Sequence, residues 1–186
     1  MKFAQLKKRR ERGATIIEVA LVMPILLLIL ISIFELGGAF RDYLTVSNSV
    51  RDGVRILSAS GDSPEADCRA ILAAVDTLEL AGRFSDVDRI EIYKADSNGN
   101  QITALTNTYS FSIGDPTDCD DWNGYPGTNY PPTSRYVLAG GTTPLDLIGM
   151  RIVYNHDWFT QFGPYNGTIE INETVISRVE PEGIAP

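Results

Sequence analysis

Glu18 is an acid in an apolar setting: sixteen uncharged residues separate it from the next charge, Glu35. A carboxylate in hydrocarbon costs several kcal/mol unless it is paired or neutralised, which makes an intramembrane acid a candidate functional residue. One partner comes within reach if the chain is cut between Gly13 and Ala14. The new α-amino group then lies four residues before Glu18, one helical turn away on the same face. Ammonium and carboxylate would compensate each other in a low-dielectric setting, within one subunit or between neighbours. Uncut, Glu18 reads instead as an acid at a helix start, where the positive end of the dipole favours it.

Other residues with chemical potential are fewer. Cys68 and Cys119 are the two cysteines. Both fall beyond the apolar run, on the side where oxidation is allowed, so one disulfide is expected, with a free thiol pair as the alternative. His156 is the single histidine, beside Asp157. With no G-x-S-x-G turn and no metal-ligand spacing, it reads as a partly buried strand residue, and neither catalytic residues nor a metal site are expected. The stretch "DPTDCDDWNG" and the turn "DSNGN" invite calcium. The turn has its glycine fourth and Asn107 in twelfth place, which is not an EF-hand loop, and the acidic stretch reads as a solvated loop. Two N-x-T sequons, at Asn166 and Asn172, read as chance matches.

These residues must be held by elements legible in the pattern. Residues 14–34 form 21 positions interrupted only by Glu18, about 30 Å as a helix and one hydrocarbon thickness. Pro24 inside it removes one hydrogen bond and should bend or loosen the helix, or stand as a tolerated kink. From Glu35 to Ser58 no proline intervenes, and Leu36, Phe40, Tyr43, Leu44, Val50, Val54 and Leu57 suggest an amphipathic continuation. Ser63, Pro64 and Glu65 read as an N-cap and first turn, opening a second helix to about Ala81 with Cys68, Ile71, Leu72, Val75 and Leu78 on its apolar face. Beyond Gly82 the period becomes two. Ile90 and Ile92 alternate, Asn98-Gly99 marks a hairpin, and Ile102 to Leu105, then "NTYSFSI", then "GMRIVYNHDW" and "NGTIEINETVISRV" follow as strands. Residues 115–144 read as a long irregular loop, where Trp122, Tyr125 and Tyr130 suit an adhesive surface or a cover over the sheet.

Charge sets the orientation. The net charge is −8, yet residues 1–13 hold six Lys/Arg against one Glu, leaving 10 basic and 23 acidic residues in the rest. A body so acidic is a poor nucleic-acid binder. The basic start places the amino terminus in the cytoplasm and the remainder outside.

A basic leader ending in Gly13, a small residue at Ala14, Glu18, and an apolar run containing Pro24 together resemble the class III signal of type IV pilins and pseudopilins. The wording "RGATIIEVALVMPILLLIL" is similar to the TadE-like family, pilin-like minor subunits of the tight-adherence (Tad, type IVb) pilus machinery, and "ETVISRVEP" resembles that family's carboxyl end. The resemblance implies cleavage after Gly13 by a prepilin peptidase, an assembly role for Glu18 and a matching helix proline at Pro24. The implied partners are other Tad pseudopilins and pilins and inner-membrane lipid, with no cofactor, small-molecule substrate or enzymatic activity.

The expected architecture is α+β and type IV pilin-like: a long amino-terminal helix and a second helix packed on an antiparallel sheet. Its parts would be a cytoplasmic leader (1–13), a transmembrane helix (14–34), a helical continuation (35–62) and an extracytoplasmic domain (63–186). Two rivals remain. One is a single-pass anchored binding or enzymatic domain unrelated to pili; the other is a secreted domain freed by signal peptidase near Gly37 and Ala39.

Overall fold

A computed structural model describes the backbone of residues 2–138 and 144–181, with side chains from residue 15 onward in the same ranges. The first helix, α1, runs from Lys2 to Ser60 and continues through Pro24. It stops where Gly61 adopts φ +57°, a left-handed conformation that glycine takes without a Cβ penalty.

The chain divides into two compact units, one of Met1–Phe40 with Trp158–Gly167, the other of Arg41–Asp157 with Thr168–Pro186. In the first, α1 is long and apolar enough to cross a membrane, and none of its apolar window is buried. The ten-residue segment Trp158–Gly167 lies with it and is described with the site below.

In the second unit the rest of α1 packs along α2 (Ala66–Leu80) over a sheet. The buried stripe of α1 includes Asp42, Val46, Val50, Val54 and Leu57, at intervals of four and three, with Ser49 beside Val50. The sequence pattern pointed to a different face: Leu36, Phe40, Tyr43 and Leu44 are exposed, and only the last three of the expected set are buried. Apolar periodicity cannot find a stripe that carries an aspartate and a serine. Ser49 Oγ donates to the Ala74 carbonyl at 2.7 Å, and Asp42 forms an ion pair with Arg83 at 2.9 Å. Gly53 lets the layers meet, since a Cβ there would come 3.1 Å from the Ala70 carbonyl and collide with the Met150 side chain.

α2 begins later than its sequence suggests. Ser63 forms a turn, its carbonyl accepting from Ala66 N at 2.9 Å, and the helix opens at Ala66 with no side-chain cap. Its buried residues include Ala66, Ala70 and Ala74 as well as Ile71, Val75 and Leu78. Leu72 and Cys68 are only half-buried, so small side chains set the close face.

Five strands form one antiparallel sheet in the order β3-β2-β1-β4-β5. They are β1 (Val87–Ala95), β2 (Gln101–Phe111), β3 (Trp122–Asn123), β4 (Leu147–Asp157) and β5 (Thr168–Arg178). The central strand β1 sets Ile90 opposite both Tyr109 and Ile152, and Ile92 opposite Asn107 and Met150. Ile90, Ile92, Ile148, Met150 and Ile152 join the buried helix residues in one core. On the outer side, Arg151 lies over the Tyr93 ring and pairs with Glu91 at 3.1 Å.

The segments expected as two pieces around Leu105 and Asn107 are one continuous strand, β2. Thr106 and Asn107 look like turn residues, but their side chains are bonded within the fold: Thr106 Oγ1 donates to the Ile102 carbonyl at 3.1 Å. Asn98-Gly99 does lie in the β1–β2 connection, with Gly99 at φ +86° and Asp96 Oδ1 accepting from the Asn98 and Asn100 amides.

Candidate functional site

Gly13 and Ala14 fall within α1 but outside the described side chains. Glu18 is exposed on the apolar helix and borders a shallow groove with Val19, Val22, Met23 and Leu26. The carboxylate thus sits on a surface with almost no other polar group, in the setting where an opposite charge from outside has the greatest effect.

Glu35, directly after the last apolar residue Phe34, is buried. Its Oε2 accepts from the Phe159 amide at 2.9 Å and its Oε1 from the Thr160 amide at 2.6 Å. One carboxylate therefore fixes two successive amides of the β4–β5 connection, the pairing a buried acid requires. The Phe159 ring lies on Gly38, where any side chain would collide with it. Within the connection, Gln161 accepts from Gly167 N at 3.0 Å and donates to the Trp158 carbonyl at 3.0 Å, and the Trp158 and Tyr165 rings meet edge-on at 5.0 Å.

Three polar hubs organise the other unit. Asp42 of α1 receives Arg83 Nε at 2.9 Å and lies 2.7 Å from His156 Nδ1, with both Asp42 and His156 buried. His156 is thus more deeply enclosed than its sequence setting suggested. The Tyr154 hydroxyl joins this group, donating to Asp86 at 3.0 Å; burial, then the Asp42 charge, pushes it up from the usual tyrosine range.

Asp67 of α2 is the second hub. It pairs with Arg135, both side chains buried, and accepts from the Tyr109 hydroxyl at 2.5 Å and from Asn107 Nδ2 at 3.1 Å. Burial first, then the Asp67 charge, raises Tyr109 far above its ordinary value. Asn107 also holds the loop backbone, accepting from Tyr130 N at 2.9 Å and donating to the Tyr130 carbonyl at 2.8 Å. Asp146, the third hub, takes Lys94 at 2.6 Å and the Tyr130 hydroxyl at 3.0 Å.

Beside Asp67, Cys68 is joined to Cys119 by a disulfide. The long loop is therefore fastened near its start by sulfur and near its end by Arg135. Trp122 and Tyr130 are buried in the core cluster, so these two aromatics cover the sheet rather than form an outward surface. The acidic stretch is occupied by its own turns: Asp115 Oδ1 accepts from Thr117 N at 2.9 Å, Asp118 Oδ1 from Asp120 N at 3.0 Å, and Asp121 Oδ2 from Asp115 N at 2.7 Å. Among the described residues, no group of three His, Cys, Asp or Glu side chains is placed to hold a metal ion.

Sequence reasoning missed Glu35, Asp42, Asp67, Asn107 and Arg135 as organising residues. The one signal on offer was spacing, since Glu35, Asp42 and Ser49 recur every seven residues along α1.

No curated protein and no solved structure matches the chain. Residues 13–55 match the family model described as TadE-like protein, a segment that begins at Gly13 and ends within α1. By that match the amino-terminal helical segment is similar to TadE-like proteins, and the described residues form a pilin-like α+β arrangement of a long helix, a second helix and an antiparallel sheet.

Proposed function

We propose that this protein is a pseudopilin, a structural and non-enzymatic minor subunit for assembly of a tight-adherence pilus. The observation that carries the reading is the coincidence of the TadE-like match with an exposed apolar helix, led by a basic segment ending in Gly13. In this reading prepilin peptidase cuts between Gly13 and Ala14, and α1 holds the subunit in the inner membrane with its amino terminus cytoplasmic. Glu18 pairs with the α-amino group at Ala14, its own or a neighbour's, as the helix enters a bundle of pseudopilins and pilins. Pro24 removes the bond to the Ala20 carbonyl and gives the helix a place to adapt to that bundle.

Packing around Glu35 and Gly38 weighs against a conventional signal peptide. A cut near Ala39 would discard the carboxylate that holds the Phe159 and Thr160 amides. Terminal sequencing of the mature protein tests the reading: Ala14 is expected, whereas Met1 or a residue near Phe40 would overturn it.

A further inference from the structure

The β4–β5 connection, Trp158–Gly167, contains no charged residue in ten positions, in a chain where charged residues make up 22%. It carries two phenylalanines, a tryptophan and a tyrosine, and it leaves Phe159 57% and Phe162 61% exposed. Exposed aromatics grouped on one uncharged loop mark an interaction surface more than an accident of composition.

The position of the loop selects the partner. Its backbone is fastened to Glu35, the first residue after the apolar run of α1, and the Phe159 ring rests at Gly38. Gly38 is four residues past Phe34, roughly 6 Å farther along the helix axis. The polar layer on each side of a bilayer is about 5 to 8 Å thick, so a ring at that height lies inside it when the apolar run fills the hydrocarbon. Tryptophan and tyrosine concentrate at this level, with an apolar body toward the chains and a polar edge toward water. The exposed apolar surface of α1, including Ile33 and Phe34, runs directly up to the loop.

The loop is also shaped before it meets any partner. Gln161 spans it from the Trp158 carbonyl to Gly167, and Phe162 and Tyr165 close its tip, Tyr165 N donating to the Phe162 carbonyl at 3.1 Å. Ordering costs on binding are correspondingly small.

We propose that Trp158–Gly167 is a lipid contact, which seats Phe159 and Phe162 at the boundary between headgroups and acyl chains of the membrane that α1 spans. The proposal rests on the membrane-anchor part of the reading above, not on the pilus assignment. It makes Glu35 the residue that sets the loop's height: the acid is screened by two amides at the level where the hydrocarbon ends.

The test uses the full chain in liposomes of phosphatidylethanolamine and phosphatidylglycerol carrying a spin label either high or low on the acyl chain. Comparing wild type with Trp158→Phe isolates the Trp158 emission from that of Trp122. The expected result is loss of the Trp158 emission with the high label, little loss with the low label, and shielding from aqueous acrylamide. Phe162→Asp, at an exposed position that the core does not use, should restore acrylamide access and shift the emission to the red. Trp158 emission open to acrylamide and indifferent to both labels, in protein that floats with the liposomes, would overturn the lipid contact and leave the anchor standing. Protein that fails to float would overturn both.

Discussion

Asp67 and Arg135, 68 residues apart in sequence, meet as an ion pair with both side chains buried. Neither position announces itself, one lying in an ordinary amphipathic helix and the other in a Pro- and Gly-rich loop. Together with the Cys68–Cys119 bond beside it, the pair ties a largely exposed loop to the domain's interior.

Removing one partner should be severe. Arg135→Met leaves Asp67 buried with only the neutral donors Tyr109 and Asn107, and the cost of such an uncompensated charge is about 3 to 5 kcal/mol. Chemical denaturation of the detergent-solubilised chain reads it as a lowered midpoint. A wild-type midpoint would show that the pair contributes nothing.

Reducing the disulfide should also destabilise. The bond spans a sequence separation of 51, for which loop-closure entropy gives roughly 4 kcal/mol. Thermal melts with and without reductant, and of a Cys68→Ser, Cys119→Ser double variant, should agree in showing the loss. Because Arg135 holds the loop's far end independently, the reduced domain should still unfold cooperatively.

Alkaline pH should weaken the fold through its buried phenols. Burial raises Tyr109, Tyr130 and Tyr154 above the ordinary value, and carboxylates beside them add to it. The neutral form is therefore favoured in the folded state. The contribution is complete below the unfolded value of about 10 and drains away as pH rises toward the higher folded value, by up to about 1.4 kcal/mol per group and pH unit. Stability measured on either side of pH ~10 should fall steeply in wild type and less so in Tyr109→Phe.

Processing and assembly should separate at the amino terminus. Under the proposed reading, replacing Gly13 by a bulky residue should block maturation, read as an unchanged precursor on gels, because a peptidase that fits closely where glycine has no side chain would exclude it. Glu18→Ala should mature normally yet lose co-purification with partner pseudopilins. Equal recovery of variant and wild type would reduce Glu18 to a helix-start acid.

What the sequence shows and what it hides divide along a physical line. Sustained apolar character and the lack of proline after Pro24 make α1 readable to within a few residues of its end at Ser60, and alternation makes Ile90, Ile92, β4 and β5 readable. Local pattern fails where burial depends on a distant partner. Glu35 is paid for by amides 124 and 125 residues away, Asp42 by His156 114 residues away, and Asn107 holds a backbone 23 residues on. The exposed Leu36, Phe40, Tyr43 and Leu44 mislead for the converse reason, being apolar in type without belonging to the core.

The placement of β1 at the centre of the sheet has a consequence for how the chain matures in time. β1 finds one neighbour in β2 straight after a short turn, but its other neighbour is β4, with Ile90 facing Ile152, and β4 in turn is flanked by β5 near the carboxyl end. A chain synthesised from its amino terminus therefore holds β1 half-paired until most of its length has emerged, with an open strand edge available to other chains meanwhile. Closing the β1–β4 pair is a long-range step of the kind that slows folding. Loss of β5 would leave the β4 edge bare, so truncations at the carboxyl end should yield aggregation rather than a shorter folded domain.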